Sequence, residues 1–474
     1  MGFDLVVVDG MVMTPTGGKR LDVGVRDGKI AFLGTIDQAE RNACPRLADA
    51  HECLVIPGAI DAHTHFALPA GNGFSTVDDF DTGTQAAAAG GVTTLIDFTT
   101  PASGQQPTEA YSDRRRLIER GVHVDYGLHN VLIGWRPEWE SQLMWLGRSG
   151  APSVKLFSTY RDRGWQADDR MLVSVMECCS RHGLVVCLHA ENDALIEHYT
   201  RSVLAAPRES PARGALALTL SRPPIVEEEA VTRAITFARA TGVTLHLVHL
   251  STEGAARMVG EARKAGLPVT GETCPHYLAL DRRSLARPDG HRFGCCPPLR
   301  DVSHQAGLWS ALREGWLSLI ATDHCAFSST QKDVWQGDFQ KIPYGLPGVE
   351  TSLALTYTFG PVQGNLTVDS WVKLHCEGPA RTFGLYPQKG VLLPGADADL
   401  VIWDASVVRK VGKDFRQTPC DWSPYEGLEL CGLARQVFLR GTEIAVGGHY
   451  CGPGREGRFV SRSPCPSPAP DSPA

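Results

Sequence analysis

Four histidines and one aspartate fall where predicted β-strands end, and these residue types can bind a divalent metal ion. They are His63, His65, His189, His249 and Asp323. His63 and His65 point the same way from one strand end, because strand side chains alternate between two faces. A single such histidine is more often an ordinary core or loop residue, but equivalent positions on several strands predict a shared metal site. Five imidazole and carboxylate ligands could hold one zinc ion or two.

Other histidines are less well placed for ligation. His246 points to the opposite face from His249 when strand residues are counted by twos. His129, His276 and His324 lie closer to the predicted strand ends. We expect these three to support the ligands rather than to bind the metal.

Lys155 lies inside a predicted strand between Val154 and Leu156. A protonated lysine has no acceptor and cannot ligate a metal ion. Two interpretations therefore stay open from the residues alone. Lys155 is either a surface residue, or its amine is carboxylated by CO2 to an anionic carbamate. The two oxygens of a carbamate could bridge two cations about 3.5–4 Å apart.

These residues can meet only in a fold that brings several strand ends together. Between residues 58 and 389, apolar runs alternate with helical stretches, which predicts parallel strands joined by helices. The predicted strands are 54–60, 91–98, 124–129, 153–157, 184–189, 244–249, 269–273 and 317–323. Helices are predicted around 78–89 and over 227–240. Eight such repeats predict an α/β fold, a (β/α)8 TIM barrel, whose functional residues cluster at the C-terminal ends of the strands.

Both ends of the chain carry short strands, with turn signals such as Asp9-Gly10 near the start. Neither end can bury a core alone, so we predict a small β-sandwich domain built from residues 1–57 and 390–455. The barrel domain then covers residues 58–389. Residues 456–474 contain a proline- and serine-rich run, and we predict that this tail is disordered.

Composition excludes several classes of protein. The net charge of −7 argues against nucleic acid or an anionic membrane as a partner, and no uncharged apolar run is long enough to suggest a membrane span. Fourteen cysteines in 474 residues are too dilute for a disulfide scaffold. The adjacent pairs Cys178-Cys179 and Cys295-Cys296 also lack the spacing of structural zinc sites. We therefore expect a cytoplasmic enzyme with reduced thiols.

Several motifs follow one another along the chain in a recognisable order. They are His63-Thr64-His65, Lys155, His189-Ala190-Glu191-Asn192, His249-Leu250-Ser251, Gly271-Glu272-Thr273-Cys274-Pro275, Pro297-Pro298-Leu299-Arg300 and Thr322-Asp323-His324. In this order they resemble the dihydropyrimidinase and D-hydantoinase branch of the cyclic amidohydrolases. The resemblance implies two zinc ions bridged by carboxylated Lys155 (N6-carboxylysine). One ion would bind His63, His65 and Asp323, and the other His189 and His249.

The resemblance also implies an activity. The partner would be a small cyclic amide, a dihydropyrimidine or a 5-substituted hydantoin, opened to an N-carbamoyl amino acid. Tyr160 matches the family tyrosine that hydrogen-bonds the scissile carbonyl, and Asp323 would move the proton from the nucleophile to the leaving nitrogen. Members of the branch are commonly tetramers, which implies a homotetramer.

Two alternatives to this activity stay open. The segment from Glu272 to Leu278 also resembles allantoinases, so an allantoinase-like ring hydrolase is one alternative. A non-catalytic scaffold of the same fold is the other, although every ligand position of the family is filled in this chain.

Two substrate-binding positions depart from the branch. Cys296 stands where the branch usually has serine, and Tyr344 where it usually has asparagine. The branch binds the imide edge at these positions largely through backbone groups. Together with Phe66, Phe157 and Tyr160, the Tyr344 ring predicts an aromatic mouth that favours an apolar or aromatic ring substituent. The alternative is that Tyr344 points to solvent.

Overall fold

Eight parallel strands form a nearly closed barrel in the middle of the chain. The computed structural model describes residues 2–463, except 71–72, 208–209, 211–212 and 416. Barrel strands 1 to 8 are Ala59–Thr64, Val92–Phe98, Asp125–Val131, Ser153–Phe157, Val185–His189, Thr244–Leu247, Val269–Thr273 and Leu319–Ile320. Each pairs with the next in sequence order. Strands 8 and 1 approach through a parallel bridge between His324 and Thr64, which confirms the predicted barrel.

The barrel strands are apolar because both of their faces are covered, as in most all-parallel sheets. Every residue of the second, third and fifth strands is buried. The fourth and seventh strands have the predicted bounds. The sixth and eighth are shorter than predicted, ending at Leu247 and Ile320, so His249 and Asp323 lie on the loops that follow them.

The second sheet is mixed and takes strands from both ends of the chain, as predicted. Its strands are Leu5–Thr14, Gly17–Arg26, Lys29–Gly34, Leu47–Asp49, Leu54–Pro57, Leu400–Lys410, Glu429–Leu439, Thr442–Val446 and His449–Tyr450. The two halves join where Leu54–Pro57 runs antiparallel to Leu400–Lys410. Buried residues of both halves, including Val55, Leu400 and Ile402, share one apolar cluster.

One predicted strand is divided between the two sheets. The apolar run 54–60 was predicted as a single strand, but Leu54–Pro57 belongs to the mixed sheet and Ala59–Thr64 to the barrel. Gly58 separates them, and a side chain there would collide with Thr93. The prediction was wrong because both pieces are buried and apolar, so the sequence pattern does not change between them.

Helices connect the barrel strands and cover the outside of the barrel. The α-helices are Gln38–Ala43, Phe80–Ala89, Pro107–Ile118, Glu140–Arg148, Asp169–Arg181, Asp193–Leu204, Ala217–Ser221, Pro224–Thr241, Glu253–Lys264, Pro275–Ala279, Val302–Arg313, Ser329–Lys332, Ser352–Tyr357, Val368–His375 and Glu377–Thr382. The helix predicted at 227–240 is therefore present and slightly longer. No helix in the described part of the chain is long and apolar enough to cross a membrane.

The segment 456–463 packs against the barrel, so the predicted disorder from residue 456 is wrong for these eight residues. The Phe459 ring contacts Tyr126, and Val460 donates a backbone hydrogen bond to the Tyr126 carbonyl. The Arg462 side chain is 2% exposed and donates to Ser153 Oγ at 2.9 Å. The tertiary contacts of Phe459, Val460 and Arg462 hold this segment against the barrel, although its local composition predicts disorder. The remainder of the predicted tail, 464–474, lies outside the described residues.

Candidate metal centre

All nine site residues predicted from the sequence line one cavity of about 610 Å³ at the C-terminal end of the barrel. They are His63, His65, Lys155, Tyr160, His189, His249, Cys296, Asp323 and Tyr344. Strands 1, 4 and 5 provide His63, Lys155 and His189, and the loops after strands 1, 4, 6, 7 and 8 provide the other six. This arrangement makes the cavity the candidate active site.

Two histidines from strand 1 converge on Asp323. His63 Nε2 and His65 Nε2 each lie 3.2 Å from Asp323 Oδ1, and ligand atoms of the three residues lie within 4.8 Å of one another. Burial alone would raise the pKa of Asp323, but the neighbouring His63 and a hydrogen bond from His65 lower this pKa to about 2. Asp323 is therefore a carboxylate near neutral pH, the form that binds a metal ion.

A second pair of imidazoles lies beside the first group. The His189 and His249 ring centroids are 4.5 Å apart, and His249 is 5.4 Å from His63. His189 Nε2 donates to Glu191 Oε2 at 2.8 Å, which leaves Nδ1 of that ring as the nitrogen available to a ligand. Burial lowers the pKa of both imidazoles, so both are neutral and able to ligate.

Two glutamates hold the candidate ligands, and sequence reasoning missed their roles. His63 Nδ1 donates to Glu272 Oε1 at 2.5 Å, while His246 Nε2 donates to Glu272 Oε2 at 3.0 Å. Glu191 holds His189 in the same way. Metal-binding histidines typically donate their second ring nitrogen to a carboxylate or carbonyl. Both glutamates lie within quoted motifs, and their positions near strand ends were the available signal.

The other histidines contribute in different ways. His246 contacts the Glu272 carboxylate that holds His63, so its opposite-facing position does not separate it from the site. His129 Nε2 donates to the Ala62 carbonyl at 3.1 Å, and His129 Nδ1 lies 2.7 Å from Ser153 Oγ, beneath the cavity. His324 is held by Asp78 at 2.9 Å. His276 is buried, and its Nε2 has no partner in the described part of the chain.

Lys155 is buried in the cavity floor, which rules out the interpretation that it is a surface residue. Its side chain is 1% exposed, and Nζ lies 5.2 Å and 5.3 Å from the ring centroids of Phe98 and Phe157. No carboxylate of a described residue pairs with Nζ within 4 Å. Burial lowers the pKa of the amine to about 8. Burying a charged lysine without a nearby opposite charge costs free energy. Either the amine of Lys155 differs in chemical state from that of a surface lysine, or a nearby charge offsets it.

Three residues of the site have left-handed backbone conformations. Tyr160, His249 and Asp323 have φ angles of 68°, 41° and 49°. Non-glycine residues rarely adopt such angles, and each costs of order 1–3 kcal/mol. The surrounding packing must therefore hold these residues in place. Strained backbone conformations of this kind concentrate at functional sites. Local sequence patterns did not predict them here.

The three remaining predicted residues form one wall of the cavity. The Tyr160 ring lies 5.2 Å from the His189 ring, and burial raises the pKa of the phenol well above its usual value. The Cys296 thiol donates to Glu191 Oε2 at 3.2 Å. The Tyr344 ring is half-buried and lies 5.7 Å from the guanidinium carbon of Arg222. Tyr344 therefore faces the cavity and not the solvent.

Phe66 does not contribute to the cavity mouth, in contrast to the prediction. It is fully buried and packs 5.8 Å from Phe80 and 5.1 Å from His324. Phe98 takes the place beside the histidines, stacked on His65 at 4.8 Å. Phe157 does line the cavity as predicted.

The donor set fits a pair of zinc ions. Zinc favours imidazole nitrogen and carboxylate oxygen, and the cavity presents four imidazoles and one carboxylate. The buried His249 Nδ1 and His65 Nδ1 have no hydrogen-bond partner among the residues that the structure describes. Buried polar atoms normally have a partner, so the orphaned His249 nitrogen beside His189 is consistent with a missing ligand.

Comparison with known proteins agrees with this geometry. A profile described as "Amidohydrolase family" matches residues 54–429. D-hydantoinase of Streptomyces coelicolor is 35% identical over 466 residues, covering 97% of this chain and 98% of the relative. D-phenylhydantoinase of Escherichia coli is 35% identical over 467 residues, with the same coverage. The crystal structure of dihydropyrimidinase from Brevibacillus agri is 33% identical and superposes with a TM-score of 0.93, covering 98% of this chain and 99% of that one. The chain therefore belongs to the amidohydrolase family and, within it, to the branch of hydantoinases and dihydropyrimidinases, hydrolases that act on cyclic amides.

Proposed function

We propose that this protein is a binuclear zinc hydrolase that opens the ring of a dihydropyrimidine or a 5-substituted hydantoin to an N-carbamoyl amino acid. One observation carries the proposal: four histidines, a carboxylate and a buried lysine line a single cavity at the C-terminal end of the barrel. The names of the relatives, D-hydantoinase and D-phenylhydantoinase, support the same substrate class.

In this proposal, His63, His65 and Asp323 would hold one zinc ion, and His189 and His249 would hold the other. Carboxylated Lys155 would supply an anionic ligand to both. When bound, a zinc pair lowers the pKa of a water molecule and polarises a ring carbonyl, so that hydroxide is available near neutral pH. The burial of Lys155 without a carboxylate partner supports carboxylation, because a carbamate turns a buried cation into an anionic ligand.

Two side chains carry out the proton and charge steps. Asp323, whose pKa is lowered to about 2, accepts a proton from the attacking water and delivers it to the departing ring nitrogen. The Tyr160 hydroxyl keeps its proton because burial raises its pKa. It therefore donates a hydrogen bond to the carbonyl oxygen as that oxygen gains negative charge.

Cys296 and Tyr344 are proposed to bind the ring through their backbones. Within the described part of the chain, no hydrogen bond occupies the backbone N–H of either residue, and both residues line the cavity. A backbone donor is independent of residue type, so replacement of serine by Cys296 and of asparagine by Tyr344 preserves this contact. The Tyr344 side chain then adds aromatic surface for a ring substituent.

The test is a side-by-side assay of zinc-loaded protein on dihydrouracil, a 5-substituted hydantoin and allantoin, with zinc counted per chain. We expect about two zinc ions and turnover of the first two rings. Turnover of allantoin alone would favour an allantoinase-like enzyme. Absence of both zinc binding and turnover would favour a non-catalytic scaffold.

Three further parts of the proposal concern organisation. Residues 1–57 and 390–455 form one domain and residues 58–389 the other, as the two hydrogen-bonded sheets suggest. The dilute cysteines support a cytoplasmic location with reduced thiols. A homotetramer rests on the resemblance to the branch, and size-exclusion chromatography with light scattering would test it.

A further inference from the structure

Arg163 lies at the mouth of the candidate active site and is held there by three aromatic rings. It ends the short helical turn Arg161–Arg163, and its backbone N–H donates to the Tyr160 carbonyl at 3.1 Å. Its guanidinium carbon lies 5.1, 5.5 and 5.7 Å from the ring centroids of Tyr160, Trp165 and Tyr344. These contacts fix an exposed arginine in place, with its charged group at the entrance of the cavity.

Among the described residues, no carboxylate neutralises the charge of Arg163, whereas the neighbouring arginines Arg161 and Arg222 are paired. Arg222, also beside Tyr160 and Tyr344, forms a buried pair with Glu191 at 2.5 Å. Arg161, two residues away, pairs with Asp193 at 3.2 Å and Glu197 at 2.6 Å. In the part of the chain that the structure describes, no carboxylate lies within 4 Å of the Arg163 guanidinium.

The cavity itself offers no partner either. Asp323 is the one carboxylate among the described residues that line it, and Asp323 is engaged by His63 and His65. An unpaired guanidinium at the entrance of a cavity attracts anions and presents a planar set of donors that matches a carboxylate. The missing partner of Arg163 can thus be supplied by the substrate.

We propose that Arg163 binds a carboxylate carried on a flexible arm of the substrate ring, so that the substrate class is a cyclic ureide or imide with an acidic side chain. This inference rests on the proposed function and extends it. The ring is opened deeper in the cavity, near Asp323, while the arm passes between Tyr160, Trp165 and Tyr344 and its carboxylate meets Arg163. Hydrolysis breaks the ring C–N bond, forms a C–O bond with water and places a proton on the nitrogen. A cyclic ureide of the hydantoin type gives an N-carbamoyl amino acid with two carboxylates, and a cyclic imide gives a half-amide with two carboxylates.

The experiment compares two hydantoins of equal size, 5-(2-carboxyethyl)hydantoin and its uncharged amide, 5-(2-carbamoylethyl)hydantoin. The readout is the ratio of kcat/KM for the acid to that for the amide, measured with zinc-loaded enzyme. We expect the acid to be preferred about tenfold to a hundredfold, the range for a hydrogen-bonded charge pair. The preference should decrease as salt is raised, because Arg163 is exposed.

Arg163→Gln should bring this ratio to about one, and Arg163→Lys should retain part of the preference because the charge remains. Arg161→Gln is the matched control, since Arg161 belongs to the same turn but is paired with Asp193 and Glu197. A ratio near one in the unmodified enzyme overturns the inference. An acid preference that survives in Arg163→Gln, or that is lost equally in Arg161→Gln, also overturns it.

The outcomes separate this inference from the proposed function. Turnover of the amide and of dihydrouracil without an acid preference overturns only the role of Arg163. If the zinc-loaded protein opens none of these rings, the proposed function is wrong. Calorimetric titration of the acid and the amide then decides whether Arg163 binds the carboxylate, and equal or absent binding of both compounds overturns the inference.

Discussion

His63 Nδ1 lies 2.5 Å from Glu272 Oε1, although 209 residues separate the two along the chain. His63 comes from the first barrel strand and Glu272 from the seventh. His246 occupies the second oxygen of the same carboxylate, so Glu272 cannot turn away from His63. Because Nδ1–H of His63 donates its hydrogen bond to this carboxylate, the ring presents Nε2 towards Asp323. The orientation of a candidate zinc ligand is therefore set from across the barrel.

Replacing Glu272 by glutamine should weaken zinc binding about tenfold to a hundredfold, the usual cost of losing a carboxylate that orients a metal-binding histidine. The measurement is a zinc titration against a competing chelator. Asp333→Asn is the control, because Asp333 forms a comparable contact with His291 at 2.7 Å outside the candidate metal site. Unchanged zinc affinity in Glu272→Gln would exclude the orienting role.

Lys155→Ala should lose both zinc and activity if its carbamate bridges the ions, and added short-chain carboxylic acids should restore part of each by supplying an anion. Lys155→Arg should fail as well, because a guanidinium stays charged and cannot ligate. Zinc content and turnover are measured on the same preparations. Full zinc content in Lys155→Ala would remove the bridging role.

Tyr160→Phe should lower kcat by about 10²–10³, the range for one lost donor to a developing oxyanion. KM should change much less, because the lost interaction belongs to the transition state. Steady-state kinetics on one good substrate provide both constants, and a zinc count shows whether the metal site is intact. Near-normal kcat with normal zinc content would remove Tyr160 from the catalytic residues.

Tyr344→Asn should shift the kcat/KM ratio towards dihydrouracil and away from hydantoins with an apolar or aromatic substituent. The Tyr344 ring faces the cavity, and loss of its surface removes about 25 cal/mol per Å² of apolar contact. The two substrates are assayed with both enzymes at matched zinc content. If the ratio does not change, the side chain does not shape the pocket.

Lys389→Met should lower the free energy of unfolding by about 3–5 kcal/mol, because it leaves buried carboxylates without their central cation. Lys389 Nζ lies 2.6, 2.7 and 3.0 Å from carboxylate oxygens of Asp125, Asp399 and Asp397. These contacts join the third barrel strand to the segment that leads into the C-terminal strands. Equilibrium denaturation with urea measures the change.

Lys29→Met is the control for Lys389→Met. The Lys29 side chain is 47% exposed and pairs with Asp397 alone, so its loss should cost about 0–1 kcal/mol. Burial raises the pKa of Asp397 and of Asp399, and Lys389 opposes this effect at both, so without Lys389 both pKa values should lie above the unfolded value of about 3.9. The folded variant then binds more protons than the unfolded chain. The loss of unfolding free energy relative to the unmodified protein should therefore decrease as the pH is lowered from 8 to 5. Equal losses of unfolding free energy in Lys389→Met and Lys29→Met would contradict this account. A loss in Lys389→Met that does not depend on pH would contradict it as well.

Local patterns were sufficient to predict the barrel and the candidate metal ligands of its cavity, whereas Tyr160, Cys296 and Tyr344 were assigned through the family resemblance. Strands such as Ser153–Phe157 and Val269–Thr273 were predicted with their observed bounds, because each is a short run between helical stretches and is bounded by turn residues. The predicted run at 54–60 failed at Gly58. There the chain passes from one sheet to another without a change in polarity, and the partner of its first half, Leu400–Lys410, is more than 300 residues away.

For the candidate site, the sequence determined which histidines and which carboxylate lie at strand ends and which lysine lies inside a strand, since alternation along a strand and the repeat of strand and helix are properties of neighbouring residues. Only the tertiary structure decided what surrounds them. Glu272 faces His63, no carboxylate of a described residue lies within 4 Å of Arg163, and Phe66 packs in the core rather than at the mouth. These facts depend on contacts between residues far apart in sequence, and no local periodicity encodes such contacts. Which side chains are buried and which charges are paired depends on how the closed barrel packs.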